Sequence, residues 1–267
     1  MMTTPLLAPA IGLGFYKVPP REVRQILEDA VQIGYRLFDT ASFYENEEEI
    51  GNALRACGLK RSDVHVTSKA WLDELGREKI RVAFYSSLEK LGLETLDCYM
   101  IHWPAPRRNL YIESFETLLE LKAEGLISSV GVSNFHPEHL DKVYQSTGVF
   151  PDVHQVESHP FFQQNHLLGY SRENGILLQA SSPLARGAVL QEESLRGLAG
   201  AIGLSGAQIA IAWQVSRGVV PLPKASSALK LAENFKASQV SLSEDILEKI
   251  SDYDRGGRTG VDPNDRN

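Results

Sequence analysis

Hydrophobic and polar positions follow a repeated block along this chain, in which a short apolar run precedes a longer stretch with helical spacing. Short β-rich runs of this kind are typical of buried parallel strands that alternate with helices. Five runs end on polar residues that enzymes use, namely Asp39, Lys69, His102, Ser133 with Asn134, and Gln155. Functional residues collect at the carboxyl ends of such strands. We therefore expect these five ends to share one face of the fold.

Eight strands and ten helices are predicted from the spacing. The predicted strands are 11–15, 35–39, 64–69, 97–102, 129–134, 153–155, 176–180 and 219–222. The predicted helices are 20–33, 46–57, 77–91, 111–124, one that starts at 137, 165–173, 195–202, 207–215, 229–236 and 243–251. Eight strands with intervening helices predict an α/β fold, a (β/α)₈ TIM barrel. Residues from 254 onward are predicted to be irregular.

Length and composition fit this prediction. The chain has 267 residues, near the ~250 of one (β/α)₈ domain, and 43% of them are hydrophobic. Two small domains are the alternative, but no Pro/Gly/Ser-rich linker or composition shift marks a boundary. Residues 1–267 are therefore predicted to be a single domain.

Charge and cysteine content restrict the partners and the compartment. A net charge of −7 argues against nucleic acid or an anionic membrane as a partner. The sequence has no run of ~18 apolar residues and no early stretch of signal-peptide type. The chain has two cysteines, Cys57 and Cys98, and the single disulfide that they could form cannot stabilise a chain of this length. A reduced, cytoplasmic setting is therefore predicted. No apolar stripe indicates an obligate dimer, so a monomer is predicted.

Asp39, Tyr44, Lys69 and His102 together predict proton transfer to a carbonyl oxygen. A phenol has an ordinary pKa near 10, and an adjacent ammonium such as Lys69 is expected to lower it. Asp39 would hold Lys69 charged, and His102 would orient the substrate oxygen. Taken alone, Asp39 is also explained as a cap and Tyr44 as ring packing. Lys69 is also explained as a solvated charge and His102 as a core histidine. Their shared location at one predicted face favours catalysis.

Other cofactor and metal motifs do not fit the sequence. Gly12-Leu13-Gly14 lacks the third glycine of a dinucleotide fingerprint, and no Gly-Lys-Ser/Thr phosphate loop occurs. His136 and His139 could share a helical face, but they have no nearby third ligand. No metal site is therefore predicted.

Several segments resemble the aldo-keto reductases over nearly the whole chain. The matching segments are Gly34 to Ala41 with Tyr44, Asn46-Glu47 and Ile50-Gly51; Ser68-Lys69; Ile101 to Pro104; Gly131 to Phe135; Gln155 to Glu157 with His159-Pro160; and Ser182 to Leu184. Within that family the chain looks most like the bacterial 2,5-diketo-D-gluconate reductase branch.

The resemblance implies an NADPH cofactor extended across the strand ends and assigns roles to residues. It implies Tyr44 as the proton donor, Lys69 and Asp39 as its tuning pair, and His102 as the carbonyl orienter. The implied cofactor-binding residues are Ser133, Asn134, Gln155, Ser182, Leu184, Arg186, Lys224, Lys230, Glu233 and Asn234. Tyr16, Trp71 and Trp103 are implied to line the substrate pocket, although rim packing would also explain these rings.

Two segments depart from the family pattern. The phosphate segment has Ala225 where relatives have serine, so a hydroxyl is lost. It has Lys230 where relatives have arginine, so the ammonium of lysine, a point charge, replaces a planar guanidinium that can donate two hydrogen bonds at once. We expect a retained but weakened preference for NADPH, with NADH bound more weakly. Ser181 replaces the aromatic residue that stacks on the nicotinamide. Phe15 is a candidate to replace that ring, although packing explains Phe15 at least as well. Arg186 is a candidate to contact the pyrophosphate in compensation, and an ordinary surface arginine is an equal alternative.

The predicted function is NADPH-dependent reduction of small aldehydes and ketones, with 2,5-diketo-D-gluconate or methylglyoxal-like compounds among the candidate substrates. A final segment shorter than in animal relatives predicts an open mouth and broad specificity. Arg258 in that segment could meet a carboxylate, but a flexible solvated arginine is the favoured interpretation. The alternative is a cofactor-binding regulatory or structural barrel protein without physiological turnover.

Overall fold

The computed structural model describes residues 9–267, which form a closed barrel of eight parallel strands. The strands are β1 (Leu13–Gly14), β2 (Leu37–Asp39), β3 (His65–Ala70), β4 (Leu96–Ile101), β5 (Ile127–Ser133), β6 (Val153–Glu157), β7 (Leu177–Ser181) and β8 (Val220–Pro221). They pair in chain order from β1 to β8. Gly12 N donates to Pro221 O at 3.0 Å and Gly14 N to Pro223 O at 3.2 Å, which closes the sheet. The predicted (β/α)₈ barrel is confirmed; residues 1–8 of the predicted domain lie outside the described residues.

Ten helices accompany the strands, in the order predicted. They are α1 (Pro20–Ile33), α2 (Glu47–Ala56), α3 (Arg77–Leu91), α4 (Tyr111–Ala123), α5 (Pro137–Thr147), α6 (Asn165–Glu173), α7 (Glu193–Ala201), α8 (Gly206–Ser216), α9 (Ala228–Ala237) and α10 (Glu244–Ser251). Proline starts α1 and α5 at a position where its missing N–H costs nothing. Each helix from α1 to α4 packs on the next, and α9 returns to α1, so these helices lie around the barrel.

Helix α8 is mostly apolar, and other elements cover most of its residues. It packs in a second core cluster with α7, α10 and the turns at Ala185–Leu190, with Trp213 among the buried residues. No single helix among residues 9–267 has the length and apolar composition to cross a membrane. Helices α7 and α8 have that length and composition only when they are counted as one segment, and the angle between them is 77°.

Side chains inside the barrel form apolar layers below a polar one. Successive residues of a strand point to opposite faces, so every second residue points inward. Small clusters bring together Leu37, Val220 and Leu222, and also Cys98, Met100 and Val153. A Cβ on Gly131 would lie 2.4 Å from Met100 Cγ, so packing requires glycine at this position. Two residues further along their strands, the same inward rows reach Asp39, His102, Ser133 and Gln155.

Strand ends differ from the prediction by at most two residues. The first strand is predicted as 11–15 and observed as Leu13–Gly14, and the last is predicted as 219–222 and observed as Val220–Pro221. Proline lacks the N–H that would extend the β8 ladder. Short 3₁₀ turns that the apolar pattern does not predict follow three strands, at Ser42–Tyr44, Leu72–Glu74 and Ala185–Leu190.

Candidate active site

A buried ion pair lies at the carboxyl ends of β2 and β3. Lys69 Nζ donates to both carboxylate oxygens of Asp39 at 2.8 Å and to the carbonyl of Thr40 at 2.9 Å. Lys69 is 0% exposed and Asp39 is 4% exposed. All three ammonium donors thus have an acceptor, which a buried charge requires. The predicted pairing of Lys69 with Asp39 is present in the structure.

Two glutamines extend this polar layer across the barrel. Gln155 Nε2 on β6 donates to Asp39 Oδ1 at 2.8 Å and lies 3.2 Å from Gln179 Oε1 on β7. The bond from β6 to β2 passes through the barrel interior, since these strands are not neighbours in the sheet. Gln179 is a site residue that the sequence prediction did not include. Its position two residues after Leu177, in an otherwise apolar run, is the signal that could have identified it.

Tyr44 ends the 3₁₀ turn that follows β2. The turn is closed by Glu45 in a left-handed conformation with φ of 54°. Asn46 Nδ2 donates to Phe15 O at 3.0 Å, and Thr40 Oγ1 donates to Asn46 Oδ1 at 2.8 Å. These two hydrogen bonds hold the residue that follows the turn in place. Lys69 Nζ lies 5.1 Å from the centre of the Tyr44 ring. The structure therefore brings the predicted phenol and ammonium together.

The pKa of Tyr44 is raised well above 10, not lowered as predicted. Burial is the largest cause, followed by the Asp39 carboxylate and by Tyr16. The prediction was wrong in direction because it counted the ammonium and neglected burial and the carboxylate that binds that ammonium. Tyr44 thus keeps its proton at neutral pH.

His102 lies beside Tyr44 as a neutral imidazole. The two ring centres are 5.6 Å apart with the rings at 75°. Burial, Lys69 and Arg266, in that order, hold the pKa of His102 well below 6.5. Its Nδ1 is buried without a hydrogen-bond partner among residues 9–267. A neutral ring has one N–H to donate, which Nε2 can direct to a ligand in the pocket.

Aromatic rings surround Tyr44 and His102. Tyr16, which is 45% exposed, lies 5.1 Å from the Tyr44 ring, and Trp71 lies 4.9 Å from His102. Trp103 is partly buried next to His102 in the chain. Phe43, which was not predicted, stacks on Trp71 with centroids 3.8 Å apart. The rings of Tyr16 and Trp71 therefore lie beside Tyr44 and His102, respectively.

Ser133 and Asn134 lie at the end of β5, beside Gln155. Ser133 pairs with Gln155 in the strand register. Asn134 Nδ2 donates to His102 O and to Ser133 Oγ, both at 3.0 Å. The Oδ1 atom of Asn134 and the Oε1 atom of Gln155 receive no hydrogen bond among the described residues. These atoms could accept from a carboxamide N–H₂ group.

The predicted phosphate-binding residues lie between the end of β8 and the first two turns of α9. Lys224 and Lys230 are exposed, and Glu233 is exposed whereas Asn234 is buried. Lys224 Nζ donates to Lys17 O at 3.1 Å, and the Ser227 side chain caps α9. Two cations beside a helix N-terminus suit an anionic group. These residues therefore fit the phosphates of a dinucleotide.

The segment after β7 holds Ser182, Leu184 and Arg186 in a tight turn. Ser182 and Arg186 have positive φ angles of 48° and 52°. Arg186 is exposed, and Ser181 is partly exposed at the end of β7. Phe15, by contrast, is 0% exposed and packs against Phe38 in the core. A stacking residue needs an accessible face, so Phe15 is a packing residue, which is the second of the two interpretations given above, and it does not replace that ring.

Left-handed residues other than glycine lie only in the loops at this end of the barrel, within the chain from 9 to 267. These residues are Lys17, Glu45, Ala105, Asn109, Asn134, Gln164, Ser182, Ala185 and Arg186. Each such conformation costs free energy, and such residues concentrate at functional sites. Their location at the carboxyl ends of the strands marks this face as the candidate site.

Residues 254–267 are irregular, as predicted, but they lie against the candidate pocket. Glu157 at the end of β6 accepts hydrogen bonds from Thr259 N at 2.6 Å, Thr259 Oγ1 at 2.7 Å and Gly260 N at 2.8 Å. The guanidinium of Arg258 lies 4.6 Å from the Phe162 ring centre and is only partly exposed. The final segment is therefore held against the end of β6, and Arg258 is not a fully solvated arginine.

Replacing Glu157 with glutamine is expected to destabilise the protein by on the order of 3 kcal/mol near neutral pH. Burial raises the pKa of Glu157, but bonds from His159, Thr259 and Gly260 outweigh burial and lower the pKa from 4.5 to about 2. A depressed pKa stabilises the fold above pH 4.5, and this contribution is lost as pH falls toward 2. Urea unfolding at several pH values should show the two proteins converge in acid; a constant difference would contradict this assignment.

Comparison with known proteins places the whole chain in one family. The Aldo/keto reductase family profile matches residues 10–255. An aldo-keto reductase of Mycobacterium sp. (strain KMS) is 38% identical over 255 residues, covering 96% of this chain and 92% of the relative. The methylglyoxal reductase DkgA of Escherichia coli (strain K12) is 38% identical over 257 residues, covering 96% and 93%. The crystal structure of the Gox0644 D53A mutant in complex with NADPH is 38% identical, with a TM-score of 0.91 and coverage of 96% and 93%.

The barrel and its polar layer define a (β/α)₈ oxidoreductase. The chain belongs to the aldo-keto reductase family, whose members use NADPH. It is accordingly an NAD(P)H-dependent enzyme that reduces carbonyl compounds. The family resemblance stated from the sequence is confirmed, including the branch of the DkgA relatives.

Proposed function

We propose that the chain reduces small aldehydes and ketones to alcohols with NADPH, in the substrate range of methylglyoxal and keto-sugar acids. The Asp39 and Lys69 pair beside Tyr44 and His102, at one end of the barrel, is the observation that carries this proposal. Relatives named methylglyoxal reductase DkgA support the substrate range. Small apolar walls around two polar groups suit a short carbonyl compound.

NADPH, when bound, supplies the hydride that reaches the carbonyl carbon. Tyr44 and the Nε2–H of His102 hold the carbonyl oxygen by hydrogen bonds. Tyr44 then donates its proton to that oxygen. The ammonium of Lys69 stabilises the resulting phenolate, and Asp39 keeps Lys69 in place. A raised pKa keeps the proton on Tyr44, and a lowered pKa keeps His102 neutral, so both groups are in the required form around neutral pH.

The cofactor would lie along the strand ends, from the polar groups of β5 and β6 to the cations of β8 and α9. Ser133, Asn134 and Gln155 would hold the nicotinamide carboxamide. Lys224, Lys230, Glu233 and Asn234 would bind the adenosine end with its 2′-phosphate. Ser182, Leu184 and Arg186 would lie along the pyrophosphate. The lining roles of Tyr16, Trp71 and Trp103, the cytoplasmic location and the monomeric state likewise stay predictions.

Loss of NADPH absorbance with a panel of carbonyl compounds tests the proposed function. The panel should contain methylglyoxal, 2,5-diketo-D-gluconate and a neutral aromatic aldehyde. Turnover of at least one compound, with the alcohol identified as product, would support reduction. Tight NADPH binding without turnover of any compound would favour a regulatory or structural barrel protein instead.

Replacing Lys230 with alanine is expected to weaken NADPH binding by about 3- to 10-fold and to leave NADH binding within twofold. The reason is that only NADPH carries the 2′-phosphate, and Lys230 is exposed, so solvent reduces the effect. Fluorescence titration of both cofactors measures the two dissociation constants. Lys236→Ala, on the exposed surface of the same helix, is the matched control. Parity of the two cofactors in the wild-type protein would overturn the predicted preference.

A further inference from the structure

The guanidinium of Arg266 lies among the aromatic rings of the candidate pocket. Its Cζ is 5.2 Å from the ring centre of Trp71 and 5.8 Å from that of Trp103. The Trp71 ring is in turn 4.9 Å from His102. The Arg266 cation thus lies beside the Trp71 ring, and that ring separates it from the His102 imidazole. Nothing in the apolar pattern of the sequence placed Arg266 there.

Arg266 has no carboxylate partner among residues 9–267. Its Nε is buried without a hydrogen-bond partner. Two other arginines of the final segment differ, since Arg255 is 3.2 Å from Glu192 and Arg258 is 3.9 Å from Asp262. Burying a donor without an acceptor is unfavourable. The unpaired nitrogen therefore indicates an acceptor that the protein itself does not supply.

The final segment is attached to the rest of the protein both before and after Arg266. At one side Glu157 binds Thr259 and Gly260. At the other side Arg107 N donates to Asn267 Oδ1 at 2.7 Å. Arg266 lies between these attachments, which restrict where its guanidinium can go. A cation held in advance loses less entropy when it binds an anion.

A carboxylate suits this cation better than a phosphate. The guanidinium fork matches the two oxygens of a carboxylate, and a single cation balances a single negative charge. A phosphate dianion needs more than one cation, and Arg266 is the only arginine recorded over the pocket tryptophans among the described residues. Lys69, the other cation beside His102, is already paired with Asp39, so Arg266 supplies an unpaired positive charge at these rings.

We propose that Arg266 binds the carboxylate of the substrate, so that the enzyme prefers carbonyl compounds that carry a carboxylate away from the reacting carbonyl. This inference rests on the proposed carbonyl reduction. Aldehyde acids and keto acids would place their carbonyl between Tyr44 and His102 and their carboxylate on Arg266. Arg266 is then a residue that determines specificity, and it takes no part in proton transfer.

Two substrates that differ only in charge test the inference. 4-Carboxybenzaldehyde and methyl 4-formylbenzoate share the ring and the aldehyde, but only the first is an anion. In Arg266→Met we expect kcat/KM for the acid to fall by about 10- to 100-fold, mainly through KM, and kcat/KM for the ester to change less than threefold. Arg266→Lys should recover part of the loss, because it restores the charge without the fork.

The control is Arg255→Met, which removes a final-segment arginine that lies over Phe161 and pairs with Glu192. This variant should treat both substrates as the wild-type protein does. An equal loss on acid and ester in Arg266→Met, or no loss on either, would overturn the inference and leave the proposed reduction intact.

A binding experiment separates this inference from the proposed function. Calorimetric titration of 4-(hydroxymethyl)benzoate into the NADPH-bound protein requires no turnover. Weaker binding in Arg266→Met by at least 10-fold would support the carboxylate site even if neither aldehyde is reduced. Equal affinity in the two proteins would refute it.

Discussion

Replacing Tyr44 with phenylalanine is expected to lower kcat for carbonyl reduction by about 10²–10⁴-fold, the usual contribution of a positioned general acid. The substitution removes the proton and keeps the ring that packs near Lys69 and His102. NADPH affinity should stay within twofold, since the proposed partner of the hydroxyl is the substrate oxygen and not the cofactor. Single-turnover kinetics and a cofactor titration measure the two quantities separately.

Tyr144→Phe is the matched control for this prediction. Tyr144 lies 46% exposed on α5 and stacks on Phe150, far along the chain from the candidate site. It should leave both kcat and cofactor affinity unchanged. Full reductase activity in Tyr44→Phe would show that another group donates the proton, and the mechanism proposed above would be wrong.

Lys69→Met is expected to destabilise the protein by about 3–5 kcal/mol, because it leaves the Asp39 carboxylate buried without its cation. For a domain of this size that corresponds to a fall in Tm of about 6–20 °C. Reductase activity should be lost as well, since nothing then stabilises the phenolate of Tyr44. Urea unfolding and thermal unfolding measure the stability change.

The double variant Asp39→Asn with Lys69→Met separates folding from catalysis. Removing both charges should recover most of the lost stability, because no unpaired charge stays buried. Activity should not recover. Lys249→Met breaks an exposed pair with Asp245 and should cost under about 1 kcal/mol. A double variant as unstable as Lys69→Met would mean that packing, and not the ion pair, sets the cost.

Much of the candidate site could be predicted because polar residues interrupt apolar strands at a fixed position. Asp39, Lys69, His102, Ser133 and Gln155 each end an inward-facing row, and closing the barrel brings the row ends together. Gln179 follows the same rule and was missed only because its run was treated as uniformly apolar.

Other features could not be predicted because they depend on burial and on contacts distant in the chain. The pKa of Tyr44 rises because of enclosure that no local pattern encodes. Phe15 is a core residue because Phe38 packs against it. Arg266 reaches Trp71 only because Glu157 holds the segment before it, more than a hundred positions away in the sequence.

Periodicity alone determined the class of fold and the face of the candidate site, because a two-residue repeat fixes which side chains enter the barrel and a 3.6-residue repeat fixes which helical faces cover it. Tertiary structure decided the protonation of Tyr44 and His102 and the position of Arg266. These depend on dielectric surroundings and on distances between charges, which exist only once the chain has folded.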